Sequence, residues 1–151
     1  MITRRDCLVA LVAVTTSMAA VAWAQSVGRP PMRSTTYLWE EVPAEATTSG
    51  EKRNFFRTQT VTLDQLSCHV TTVDPGKAAH DPHSHPEEEL IIIKEGTLES
   101  MQNGKVTQVG PGTIIFEGSD ERHGIRNVGE TPATYYVIKW WTPGMLEQTA
   151  Q

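Results

Sequence analysis

Between Glu89 and Glu117 the chain reads ELIIIKEGTLESMQNGKVTQVGPGTIIFE. Runs of five to seven residues, rich in Ile, Val and Thr, are closed at short intervals by Gly96, Asn103-Gly104 and Gly110-Pro111-Gly112. Asn103-Gly104 supplies two successive residues that tolerate positive φ, as a type I′ turn demands. LESMQ and KVTQV are therefore predicted to form a two-residue β-hairpin. A chain punctuated this often has no room for the crossovers of a dozen or more residues that parallel strands require. Antiparallel pairing is what remains.

The same rhythm runs through most of the chain. TTYLWEEV (35–42) reads as a strand and Pro43 to Gly50 as a loop. KRNFFRTQ and LSCHVTTV read as strands, the second closed by Asp74-Pro75-Gly76. HGIRNV and ATYYVIKWW follow, separated by VGET, and Pro143-Gly144 breaks the pattern. About eight short strands without a convincing helix predict an all-β sandwich or barrel. The 151 residues suit one modest domain. With 38% apolar and 21% charged residues the chain is globular rather than disordered. A net charge of −5 argues against nucleic acid or anionic lipid as a partner.

The first residues stand apart. MITRRDCLVALVAVTTSMAAVAWAQ has a basic start, a weakly apolar middle and a small-x-small end at Ala22-Trp23-Ala24. It reads as a cleaved export signal, too short and interrupted for a membrane span. The predicted organisation is a signal over 1–24, an entry segment over 25–34, a barrel over 35–143 and a polar tail over 144–151. Arg4 and Arg5 in TRRDCL resemble a twin-arginine export pair, with Cys7 where a large apolar residue is usual; ordinary secretion is the alternative. Either route predicts a periplasmic or secreted protein with no stable membrane insertion once the signal is gone. Cleavage would also remove Cys7 and leave Cys68 unpaired, so no internal disulfide is available. Cys68 itself reads as a small buried residue.

Chemistry concentrates in HDPHSHPEEELIIIKEG, residues 80–96. His83 and His85 are two apart, so on an extended strand they share a face, and Glu89 keeps that parity unless Pro86 bends the chain. Two imidazoles and a carboxylate converging inside a barrel are costly unless a cation compensates them. Imidazole suits iron, nickel, copper and zinc, and a carboxylate adds a hard anionic oxygen. His123, opening a strand after a loop, is a candidate third imidazole, on one strand face with Ile125 and Asn127. Glu87 and Glu88 read as a solvated rim, His80 as a loop histidine at that rim, and His69 as a structural histidine within a strand.

These residues resemble the two motifs of the cupin superfamily. The first appears as Gly76, KAAHDP, His83, Ser84, His85, PEE, Glu89, LIIIKE, Gly96, with one residue more than usual after the first glycine. The second appears as Gly112, TIIFE, Gly118, Ser119, Asp120, ER, His123, GIR, Asn127, with Gly118 where proline is usual and Asp120 where glycine is usual. The resemblance covers roughly Leu66 to Trp141. It implies a single conical antiparallel β-barrel of jelly-roll type holding one divalent metal ion. The implied ligands are His83, His85, Glu89 and His123.

Four protein ligands on a six-coordinate ion would leave two positions for a small organic molecule, or for that molecule and dioxygen. Dioxygenase, isomerase and lyase chemistry all suit such a site, and no catalytic residue beyond the ligands can be singled out. A binding or sensing cupin that does not turn its ligand over is the alternative. No dinucleotide or phosphate-loop fingerprint is present. Loading in the cytoplasm before twin-arginine export favours iron or manganese; nickel, copper and zinc remain open. Phe55, Phe56, Arg57, Tyr135, Tyr136, Lys139, Trp140 and Trp141 lie on predicted strands, and alternation turns about half of them inward. The run Leu90–Ile93 is apolar on both faces, which predicts burial on both sides and a homodimer through sheet packing.

Overall fold

The computed structural model of the protein describes residues 30–148. The expected export signal and the start of the entry segment lie outside the described residues. Nine strands are described: β1 (Glu45–Thr47), β2 (Gly50–Thr58), β3 (Gln65–Val73), β4 (Glu88–Glu95), β5 (Leu98–Gln102), β6 (Lys105–Val109), β7 (Ile114–Glu117), β8 (His123–Asn127) and β9 (Ala133–Trp141). They form two sheets, ordered β1-β2-β3-β9-β4-β7 and β6-β5-β8. Every pairing is antiparallel. The all-β jelly-roll expectation is met.

Asn103 and Gly104 take φ of 49° and 87°, and the hairpin between β5 and β6 closes on them in the expected register. Gly96, at φ 92°, answers a different need. A Cβ there would lie 2.4 Å from the Cβ of Ala133, so the turn between β4 and β5 passes over β9 only because that side chain is missing.

The two sheets close on each other through one row of alternating side chains. Val73 (β3), Ile91 and Ile93 (β4), Ile115 (β7), and Ala133, Tyr135 and Val137 (β9) meet Leu98 (β5) and Ile125 (β8). Leu98 is fully buried; truncating a core side chain of this kind to alanine costs ~2–5 kcal/mol. Alternation on β4 is regular. Glu89, Ile91 and Ile93 are buried, whereas Glu88, Leu90 and Ile92 lie half-buried on the outer face. There Leu90 and Ile92 pair with the exposed Phe116 and Ile114 of β7.

Three local expectations need correction. TTYLWEEV is not a strand. Trp39–Glu41 forms a 3-10 turn, and the aromatic rings pack on β2 instead of the backbone pairing with it: Tyr37 meets Phe55 and Phe56, and Trp39 meets Phe55 and carries the Arg53 guanidinium at 4.8 Å. The sheet edge is taken by β1, inside the segment expected to be a loop. A single helical turn, α1 (Met145–Gln148), follows Pro143-Gly144 within the polar tail. Cys68 is half-exposed rather than buried, because the register of β3 turns Ser67, His69 and Thr71 to the other face.

A bulge in β2 has a further effect. Asn54 pairs with His69 and Phe56 with Cys68, so Phe55 is the extra residue. Beyond it Arg57 falls opposite Ser67, and its guanidinium lies 5.2 Å over the buried ring of Trp141.

Candidate metal centre

His83 and His85 sit in the loop before β4, and His123 is the first residue of β8. His83 and His85 are not on one continuous strand with Glu89, the setting that their shared parity assumed. His83 makes an isolated antiparallel bridge with His123, each backbone N–H donating to the other's carbonyl at 3.0 and 2.9 Å. The backbone N–H of Asp120 then donates to the carbonyl of His85 at 2.9 Å. Asp120 takes φ 58°, the conformation that explains why glycine is usual at this position of the motif. The loop is thereby stitched to β8, and the three rings converge with centroids 4.8 to 5.2 Å apart.

Hydrogen bonds fix which nitrogens face the site. His85 Nδ1 lies 2.8 Å from the carbonyl of Glu87, and His123 Nδ1 lies 2.9 Å from the carbonyl of Glu121. A carbonyl only accepts, so each Nδ1 carries a proton, and it is Nε2 that presents the lone pair in the neutral ring. His123 Nε2 is buried with no hydrogen-bond partner, and so is His83 Nδ1. Burial, then the neighbouring His80, His123 and His85, hold His83 below the ordinary imidazole value, so its ring is neutral. Buried polar atoms without partners are rare and need a reason. One ligand atom from each of the three imidazoles lies within 4.8 Å of the others. Neutral imidazoles whose far N–H groups are held by backbone carbonyls are the arrangement of metal-ligating histidines. The residues therefore fit a metal ion, and the group His83, His85 and His123 could hold one.

Glu89 joins the group only in part. Its Oε2 lies 3.3 Å from His85 Nε2, but it also accepts from Lys139 Nζ at 2.8 Å. Lys139 donates to His85 Nε2 at 2.8 Å as well. Burial works to raise the Glu89 pKa, yet the charge and hydrogen bond of Lys139 outweigh it, and the carboxyl is held below its usual value. Lys139 was among the strand residues whose facing the sequence left open; its alignment with Glu89 in the β4–β9 ladder turns it inward. Trp140 and Trp141 point to opposite faces as expected. Trp141 is buried, while Trp140 lies outside, stacks on Phe116 and donates to Glu88 at 2.8 Å.

The cavity beside the histidines encloses about 320 Å³. The exposed loop residue His80 lines it, and so does His69, whose place beside the site the sequence reading did not foresee. His80 packs its ring edge-on against His83, with centroids 4.3 Å apart. His69 is pushed down to about 4 by burial, then by the charge of Lys52. Glu87 is no solvated rim residue: it is largely buried, 3.5 Å from Lys139. A second buried carboxyl, Glu117, faces Glu89 across the β4–β7 pair. Burial pushes its pKa up, against a 2.9 Å hydrogen bond donated by Gln102.

Asn127, the last residue of the second motif, is fully buried. It donates at 2.8 Å to the carbonyls of Val73 and Thr131 and accepts from Gly129 N–H at 2.9 Å. It is a latch between β8 and the chain ends that flank it, away from the histidines.

Residues 69–139 match the family model of the cupin domain, Cupin_2. The fold is that of the cupin superfamily. Solved cupin structures agree over most of the chain at low identity. An RmlC-like cupin from Shewanella frigidimarina superposes with a TM-score of 0.60 at 14% identity, over 74% of this chain and 95% of its own. The polyketide cyclase RemF from Streptomyces resistomycificus gives 0.58 at 21% identity, over 74% and 82%. A predicted oxalate decarboxylase from Thermotoga maritima gives 0.57 at 20% identity, over 71% and 99%. Among curated protein sequences no significant match is found. The cupin neighbours thus include enzymes, and they share the fold with this chain.

Proposed function

We propose that this cupin is an exported mononuclear metalloenzyme acting on a small organic molecule. The observation that carries the reading is the convergence of three imidazoles, two with buried unpartnered nitrogens, beside a cavity that His83 and His123 line. His83, His85 and His123 would hold the ion, with Glu89 as a fourth donor once it is freed from Lys139. A divalent ion there supplies Lewis-acid or redox chemistry to a bound molecule. The chain's own residues would do the rest. Backbone carbonyls of Glu87 and Glu121 keep the imidazole lone pairs aimed inward. Lys139 holds Glu89 ionised within reach of His85. Ile91, Ile125 and Val137 exclude water from one side of the cavity.

Iron or manganese is the proposed metal, loaded in the cytoplasm if Arg4 and Arg5 direct export of the folded protein. A homodimer is proposed through the outer face of β9, β4 and β7, where Ile114 and Phe116 are exposed beside Leu90 and Ile92. The ligand assignment is tested by metal content. His83→Ala, His85→Ala and His123→Ala should each lose most of the bound metal and Glu89→Gln should weaken it, while His80→Ala and His69→Ala keep it. Loss in His80→Ala with retention in His123→Ala overturns the assignment.

A further inference from the structure

The cavity beside the histidines is lined by an ammonium group that has no direct partner. Three permanently charged side chains line it: Lys52, Glu89 and Lys139. Lys139 is paired with Glu89 at 2.8 Å and with Glu87 at 3.5 Å. Lys52, on β2, is half-buried and makes no hydrogen bond or ion pair among the described residues. Glu45 lies opposite Lys52 in the β1–β2 register and, like Glu89, attracts it without forming an ion pair. A half-buried ammonium without a direct ion-pair or hydrogen-bond partner is unfavourable, and an incoming anion would relieve it.

We infer that the ligand of this cavity is a small carboxylate, held at its anionic end by Lys52. The inference rests on the metal-centre reading only for the statement that this cavity is where the chemistry happens. The surroundings narrow the class. Thr71 lies opposite Lys52 in the β2–β3 register and opposite Tyr135 in the β3–β9 register, and both line the cavity. One ammonium and a neighbouring hydroxyl suit the two oxygens of a carboxylate. Ile91, Ile125 and Val137 form an apolar wall, which fits a carboxylate with a hydrocarbon body. At about 320 Å³ the cavity is at the small end of the ~300–1,000 Å³ of ligand pockets, so the acid is small. His69 supports the same reading. Burial, then Lys52, hold it neutral, so it can offer a hydrogen bond to an anion without adding a charge of its own.

The test uses benzoate, with benzamide as its neutral counterpart of the same shape. Both are titrated calorimetrically into the full chain, metal-loaded and metal-free, alongside Lys52→Gln and Lys52→Arg, with metal content measured in each. Benzoate should bind the wild type at least about tenfold more tightly than benzamide. Lys52→Gln should lose that preference with its metal content unchanged, and Lys52→Arg should keep it. Equal affinity for the two compounds, binding of neither, or full benzoate affinity in Lys52→Gln overturns the inference. Because the metal-free arm is read separately, a protein that takes up no metal refutes the metal centre while leaving the Lys52 comparison decisive.

Discussion

His69 gives a quantitative handle on the interior. Its imidazole lines the cavity, and its pKa falls from 6.5 to about 4, chiefly through burial, with Lys52 adding repulsion. The folded state thus prefers the neutral ring, whereas the unfolded chain takes up a proton near 6.5. This group contributes stability above pH 6.5 and loses it as the pH falls through 6.5 towards 4. With 1.36 kcal/mol for each pH unit, the whole gap corresponds to ~3 kcal/mol, a large share of the ~5–15 kcal/mol typical of a domain. Urea unfolding of the metal-free wild type and of His69→Gln at pH 7.5 and pH 4.5 measures it. The wild type should lose ~2–3 kcal/mol more than the variant between the two pH values. Taking the difference removes the contributions of His83 and the other groups common to both proteins. Equal losses would refute the burial of a neutral His69 and the positive field assigned to Lys52.

Asn127→Ala strands the carbonyls of Val73 and Thr131 and the N–H of Gly129; calorimetric unfolding should show destabilisation of ~3 kcal/mol or more, with metal content retained. Phe116→Asp places a charge on the exposed face proposed for dimerisation. Sedimentation velocity should report a dimer for the wild type and a monomer for the variant, and a wild-type monomer ends that proposal.

The fold was legible where chain-local chemistry decides it. Asn103-Gly104 set a hairpin register because two successive positive-φ residues leave few alternatives, and ATYYVIKWW coincides with β9. The stretch TTYLWEEV misled because aromatic and β-branched content marks a surface that packs, and its rings pack on β2 without pairing. At the site, His83, His85 and His123 could be picked out, but the cause of their convergence could not. It is a bridge between a loop and β8, separated by forty residues of chain, rather than a shared strand face. Lys139 and Lys52 escaped for a related reason. Their inward facing depends on registers set by β4 and by the bulged β2–β3 pair, and alternation within one strand does not say which face is inner. His69 was read as structural because a histidine within a strand usually is, and only the cavity shows otherwise.

The central claim is that three imidazoles hold one metal ion. Anomalous diffraction from crystals of the protein, purified from its native compartment without a nickel resin, tests it most directly. One anomalous peak should lie within bonding distance of His85 Nε2, His123 Nε2 and a ring nitrogen of His83, with the absorption edge of iron or manganese. A copper or zinc edge at that position would keep the ligands and refute early loading. No peak there in native protein, or a peak ligated elsewhere, would contradict the metal centre itself.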